Sequence, residues 1–484
     1  MKIHAFALAF LAALSLDAAT VDRLIVRQQW PWSGQVKIEY IVSGATAPQD
    51  VSVSLFDGAT PIDVSDTDKF FLTGDVYGVG NGAHTMILDA DQLALTAAKD
   101  VKVKLSLADS APNTVDAVYM IVDLVNASNI TYVTRADLKN GKYGDYETDY
   151  AKIGDGFSSP LANPIIWTGV TNDVRYMTSH MVFRKIPAAD KVYTLGSPTT
   201  FPNRHSTREK PHDVKLTSDY WIGVFEVTQA QFLQFGITGG GFKFANPDCA
   251  ATRPADNVYF QLLRGQSKGI AWKEGVPIAT ARQVDAGTWM DGARKHTGLA
   301  TLDLPTDAQW EIAAVAESTT PLYSGKQYVQ ASPNGNTKDA HFDELARYKW
   351  NDGYTNVWGN ASYPAPPFDC DTQFGTAKVG TYAPNAYGLY DTIGNADELV
   401  LDFMREDLTL DKDGNPAQQP LVNPKGGTGA NTSQENPRRV TRGGRWDTAI
   451  NSGLSSYWRA ILYDSSNNGN VVGFRLCVTE RDED

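Results

Sequence analysis

Apolar and polar positions alternate along the N-terminal part of the chain with the period of a half-buried strand. In Gln35–Val42 the apolar Val36, Ile38 and Tyr40 are separated by Lys37 and Glu39, which puts every second side chain on one face. The alternation recurs in Val51–Leu55 (VSVSL) and Val101–Leu105 (VKVKL), whereas Val118–Val122 is apolar throughout. Turn signals separate these runs: Ser43-Gly44, Asp57-Gly58, and the group Gly78, Gly80 and Gly82. Short strands at this spacing predict an all-β sandwich over residues 20–124. Trp30 and Trp32, either side of Pro31, are read as packing at its edge, with a sugar platform as the alternative.

Beyond residue 124 the pattern changes. Residues 125–178 are rich in Gly, Asn, Asp, Ser and Tyr and hold no sustained period, which predicts a connector. A second domain, 179–480, opens on Met181–Ser197 (MVFRKIPAADKVYTLGS). Within it, Val227-Thr228 followed by Gln229–Phe235 reads as a strand ending at an N-cap threonine and a short helix with Phe232 and Phe235 on one face. Pro305-Thr306 followed by Asp307–Ala316 reads the same way, with Trp310, Ala313 and Ala314 turned inward.

Length, charge, the N-terminal segment and the cysteines adjust this picture. A chain of 484 residues exceeds what one hydrophobic core usually serves, which fits two domains. A formal net charge of −13 argues against nucleic acid or an anionic membrane surface as partner. Lys2 followed by the apolar Ala5–Leu14 and by small residues at Ser15, Ala18 and Ala19 predicts a signal peptide over 1–19, hence a secreted or periplasmic protein. No later run approaches the length of a transmembrane helix. The three cysteines, Cys249, Cys370 and Cys477, are too few for a disulfide scaffold and leave at least one thiol unpaired.

Five blocks carry a resemblance. LPTDAQWE at Leu304–Glu311 is similar to RLPTEAEWE of the formylglycine-generating-enzyme, or sulfatase-modifying-factor, family. WIGVFEVTQAQFLQF (Trp221–Phe235), PNAYGLYDTIGNADELVLDF (Pro384–Phe403), RVTRGGRW (Arg439–Trp446) and VGFRL (Val472–Leu476) resemble further family blocks in the family's order. The resemblance implies a mixed α+β chain, in which the sandwich precedes a C-type-lectin-like domain with much irregular structure. It also implies a structural calcium held by the main chain of Ile393, Gly394 and Ala396 and the side chain of Glu398, hard oxygen donors on a tight loop. Three departures stand out: the family's two tryptophans in this loop are Asp397 and Leu399, and the arginine before its LPT is Asp303.

The enzymes of the family hold Cu(I) on two cysteines placed shortly after GGSF, soft ligands suited to that ion. Here those positions fall on Thr448 and Gly453, and the family's serine is Arg445. The resemblance therefore implies no catalytic residue at these positions and no copper. A related iron site of HxxxHxE type finds no match among the seven histidines; His205 and His212, with Glu209 between them, read as loop residues. The domain's surface groove, with Arg445, Trp446 and Arg459 as candidate lining, is expected to hold a peptide or glycan. Two functions follow: an exported binding or structural protein without the oxidase activity or, as the alternative, an oxygen-dependent protein-modifying oxidoreductase using an unrecognised site.

Overall fold

In the computed structural model the chain divides into two compact units, one over residues 1–117 with 481–484 and one over Val118–Glu480. The structure describes residues 3–5, 19–28, 35–46, 49–62, 71–75, 79–89, 101–109, 117–126, 129–147, 165–236, 242, 249–267, 272, 276–329, 338–352, 375–411, 413, 415–426, 438–452, 454–463 and 472–480. Most of the expected signal peptide, Trp30, Trp32, Gly78, Cys370 and Gly453 lie outside these residues.

The first unit is the sandwich that the alternation predicts. One sheet runs Thr20–Gln28, Gln35–Ser43, Gly82–Asp89, Phe71–Gly74; the other runs Ile3–Ala5, Val101–Asp109, Gln49–Asp57, Thr60–Ile62. All neighbours are antiparallel except the parallel pair Ile3–Ala5 and Val101–Asp109. Val36, Ile38, Tyr40 and Val42 from the first sheet meet Val51, Val53, Leu55 and Val103 from the second in one apolar core. Each lies at an every-other position, so the pleat alone delivers them to one face.

The second unit begins earlier than the composition indicates. Ala117–Asp123 is buried along its whole length and pairs with His180–Ile186 in a six-stranded sheet. Its unbroken apolar run is that of a strand covered on both faces, and it belongs to this sheet rather than to the sandwich. The sheet order is Ile130–Thr134, Ala117–Asp123, His180–Ile186, Tyr220–Gly223, Cys477–Thr479, Leu302–Asp303. The expected connector is also corrected: Val133, Leu138, Ile165, Trp167, Val170 and Met177 are buried in the main core of this unit. Trp167 meets Tyr119, Tyr143 and Tyr176 edge-on, so aromatic packing replaces the missing periodicity.

Two smaller sheets complete the frame. One has the order Arg459–Tyr463, Arg438–Arg442, Asp397–Phe403, Val472–Gly473; the other is Val192–Leu195, His212–Lys215, Leu421–Val422. Helices are short. Gln229–Leu233 and Asp307–Val315 both start at the predicted threonines: Thr228 and Thr306 each close a capping box, with Gln231 and Gln309 respectively. No helix among the described residues is long and apolar enough to cross a membrane.

Candidate functional site

The motif blocks converge because their polar residues bind one another. Glu226 of the EVT block accepts from Asn395 Nδ2 at 2.6 Å and from the Ala396 amide at 3.0 Å. Burial, with Asp391 and Glu398 nearby, holds its carboxyl well above the usual range. Glu398 accepts from Trp310 Nε1 at 2.6 Å and from Arg475 Nε and Nη2 at 2.6 and 2.5 Å. Arg442 spans Asp307 and Glu311, and Arg459 Nε reaches Asp307 Oδ2 at 2.8 Å. Asp303, in place of the family arginine, inverts the local charge and gathers Arg264, Arg282 and Arg294 around itself.

The expected calcium loop is tight: at Gly394, with φ of +78°, a Cβ would lie 2.2 Å from the Arg347 carbonyl. Its carboxylate is already engaged, however. Glu398 is fully buried and carries three donors, so a cation on the Ile393, Gly394 and Ala396 carbonyls has to draw it from Arg475. As placed, the side chain fits a buried ion pair better than a calcium ligand. No three His, Cys, Asp or Glu side chains gather in metal-binding fashion among the described residues. His205 and His212 do not converge: His205 Nδ1 accepts from the Thr207 and Arg208 amides, and His212 Nδ1 bonds the Lys210 carbonyl.

The segment after GGRW carries the candidate site. Thr448 is half-buried, its amide donating to the Arg445 carbonyl at 3.0 Å. Beside it, Arg445 Nε donates to Asp447 Oδ1 at 2.6 Å, and Nη1 lies 3.7 Å from Asp397 Oδ2. Two departures from the family pattern, Arg445 for serine and Asp397 for tryptophan, thus meet each other. Burial pushes the Asp397 carboxyl up to about 7, with Arg445 opposing the shift.

Two of the three expected groove residues do not line a groove. Trp446 is 2% exposed and packs on Ala396. Arg459 is 1% exposed because Asp307 and the Arg405 carbonyl draw its guanidinium inward. Open space lies one step further along. Ile450, Leu454, Ser455, Tyr457 and Trp458 form one wall of a narrow pocket of about 20 Å³, facing Ser197, Phe201, Arg204 and Glu209. Gly196 anchors this opposite wall: its amide donates to Glu311 Oε1 at 2.5 Å, and a Cβ there would meet the Lys210 carbonyl at 2.4 Å. The Ser197 amide then donates to the Glu209 carbonyl at 3.0 Å, closing the loop between them.

Within the pocket, Phe201 and Tyr457 meet edge-on at 5.8 Å, and half-buried Trp458 meets the His205 ring at 6.0 Å. Glu209 is 2% exposed, and burial pushes its carboxyl up against a hydrogen bond from Ser197. Arg204 donates to Ser197 Oγ and to the Glu209 carbonyl, both at 3.3 Å. Sequence reading names Glu209 only beside the two histidines and passes over Phe201, Arg204, Tyr457 and Trp458. The adjacent aromatics Tyr457-Trp458, directly before Arg459, were the available signal.

A family model for the sulfatase-modifying factor enzyme 1-like domain matches residues 181–480, more than half of the chain. The chain is 26% identical over 194 residues to a formylglycine-generating enzyme of Thermomonospora curvata, covering 39% of this chain and 50% of that protein. It is 25% identical over 267 residues to the chaperone protein LppX of Paenibacillus barcinonensis, covering 54% and 80%. Against the formylglycine-generating enzyme of Bos taurus it is 23% identical over 256 residues, covering 49% and 62%. The chain therefore spans between half and somewhat under two thirds of the length of these two enzymes. Among solved structures it is similar to Treponema denticola variable protein 1 (22% identity, TM-score 0.38, 62% of this chain and 95% of that one). It is also similar to PvdO from Pseudomonas aeruginosa (18%, TM-score 0.37, 62% and 94%). By the match over residues 181–480, the chain belongs to the sulfatase-modifying factor enzyme 1-like family.

Proposed function

We propose that this protein is an exported binding protein whose family domain lacks formylglycine-generating activity. The observation that carries the reading is at the copper positions. Neither Thr448 nor Gly453 offers a thiolate, and the neighbouring Arg445 is tied to Asp397 and Asp447. Cu(I) needs soft sulfur donors, which hydroxyl, glycine and guanidinium groups do not supply. The thiol of Cys477 is buried on the strand Cys477–Thr479 of the six-stranded sheet and donates to Gln309 Oε1.

Export is supported by the apolar N-terminal run and by Cys249, which is disulfide-bonded. A binding role is supported by a hollow of about 540 Å³ between the strand Val192–Leu195 and the end of the helix Asp307–Val315, lined by Tyr193, Glu317 and Tyr457, and by a relative named as a chaperone rather than as an enzyme. The test is oxygen uptake and aldehyde formation with a cysteine-containing sulfatase peptide and copper. Neither is expected. Conversion of the peptide's thiol to an aldehyde would overturn the reading in favour of the oxygen-dependent oxidoreductase.

A further inference from the structure

We propose that the hollow between the strand Val192–Leu195 and the end of the helix Asp307–Val315 is a site for a small primary amine, an ammonium group carried on an apolar body. The inference rests on the binding reading above and names its ligand class. Three observations carry it.

The first is room. The hollow measures about 540 Å³, within the range that small-molecule sites occupy. Its accessible apolar wall is made by half-buried Tyr193 and Val315 and by exposed Pro198 and Pro211, with buried Leu195 and Ile312 behind them. Such a wall takes the apolar surface of a ligand out of water without asking it for hydrogen bonds.

The second is charge. Glu317 is the one charged residue among those lining the hollow. The buried Asp303, Asp307, Glu311 and Glu398 are each paired with arginine. Glu317 is half-buried, yet no described residue gives it an ion pair, and its one hydrogen bond among them comes from the Tyr387 hydroxyl, on Oε1 at 3.0 Å. A partly desolvated carboxylate without a counter-ion attracts a cation, repels an anion and leaves a neutral ligand with less to gain. Burial, with the charges of Glu317 and Asp219 nearby, pushes the Tyr193 hydroxyl up to about 12, so that ring stays neutral beside the carboxylate. The net charge of −13 favours a cation in general.

The third is preparation. Ala316 and Glu317 both have left-handed backbone, with φ of +47° and +62°, which non-glycine residues rarely adopt. Such outliers persist where the surrounding structure over-determines them. This double turn stops the helix at Val315 and brings Glu317 and Thr319 onto the lining of the hollow. Tyr387, itself 1% exposed, then holds Glu317 Oε1 and leaves Oε2 for a ligand. A primary ammonium carries three donors; Oε2 takes one, and the Thr319 hydroxyl on the same lining can accept a second. Acceptors set before the ligand arrives keep the ordering cost of binding low.

The test titrates the full-length protein by calorimetry with hexylamine and phenethylamine, beside hexanol and phenethyl alcohol as neutral counterparts and phenylacetate as an anionic one. The amines are expected to bind roughly tenfold more tightly than the alcohols, and phenylacetate more weakly than either. Glu317→Gln keeps an acceptor for Tyr387 and should bring the amines down to the level of the alcohols, with the melting temperature unchanged. Val315→Lys supplies an ammonium from the lining itself and should abolish amine binding; should Glu317→Gln misfold, this second variant decides. Amines that bind no better than the alcohols, or that are indifferent to both variants, overturn the proposal. So does a lysine-containing peptide that binds here and is not displaced by hexylamine. Failure of the amines with no aldehyde formed rejects the ligand class alone, whereas aldehyde formation rejects the non-catalytic reading whatever the amines do.

Discussion

The sandwich and the family domain hold their chains with different materials. In the sandwich the ladders satisfy the backbone, and the core is a set of valines, isoleucines and leucines at alternate positions with one tyrosine and one methionine. Its ion pairs among the described residues lie at the surface, such as Arg27 with Glu39 at side-chain exposures of 62% and 31%. In the family domain Asp303, Asp307 and Glu398 sit in the core with their arginines, none of these side chains more than 6% exposed. The reason lies in the backbone. Irregular chain leaves carbonyls without ladder partners, and arginine brings five donors on one planar group. Arg475 reaches the carbonyls of Gly223 and Tyr390, Arg347 those of Gly375 and Asn351, and Arg294 those of Leu302 and Arg282. Buried charge here replaces regular secondary structure as the fastening.

That contrast is open to a direct test at Glu398. Glu398→Gln leaves Arg475 buried without its anion, and should destabilise the family domain by about 3–5 kcal/mol in urea unfolding followed by tryptophan fluorescence. Pairing it with Arg475→Met should recover part of the loss, with the remainder reflecting the orphaned carbonyls of Gly223 and Tyr390. A loss under 1 kcal/mol in the single variant would break the contrast. The same site decides the cation question: calcium against a chelator is expected to leave the melting temperature unchanged. A calcium-dependent rise that Glu398→Gln removes would return a cation to Ile393, Gly394 and Ala396.

How far this was legible in the sequence follows the same division. Alternation placed the strands around Val36, Val51 and Val101 because one face of each is wet. Thr228 and Thr306 announced their helices because caps are local chemistry. Val118–Val122 announced a strand buried on both faces, yet nothing local says which sheet receives it. The buried arginines were hidden, since an arginine in sequence reads as surface. The resemblance points to a groove at Arg459 and Trp446, and only the contact with Asp307, 152 residues away, shows why Arg459 is interior. The pocket was illegible on one side: Phe201, Arg204 and Glu209 sit in a polar loop with no period.

A smaller effect sharpens the comparison through pH. Burial holds the Asp397 carboxyl at about 7 in the fold, against about 3.8 in the open chain. The fold thus prefers the protonated acid. The associated stability is complete below about pH 4 and is lost as pH rises towards and through 7, a change of roughly 2–4 kcal/mol. Asp397→Asn should flatten this slope, read as the difference in melting temperature from wild type across that window. Other buried carboxyls, such as Asp402, titrate in both proteins and cancel in the difference. A slope unchanged by the substitution would mean that Arg445, at 3.7 Å, already keeps the group ionised.

The smallest effect expected is at Thr306, and it separates local from long-range fastening. The Thr306 side chain accepts from the Gln309 amide at 3.1 Å, and Gln309 Oε1 accepts from the Thr306 amide at 3.0 Å. Thr306→Ala removes the first of these and should cost about 1 kcal/mol; Thr306→Ser should restore most of it. The helix it starts is short, but Asp307 in its first turn is clamped by Arg442 and Arg459, and its amide is bonded by Asp402. Those contacts hold the helix start whether or not the cap is present, so the cap loss stays small. If Thr306→Ala instead costs as much as Glu398→Gln, the ion pairs are positioned by the helix rather than the helix by the ion pairs. The order of causes in this domain would then be the reverse of the one argued from its buried arginines.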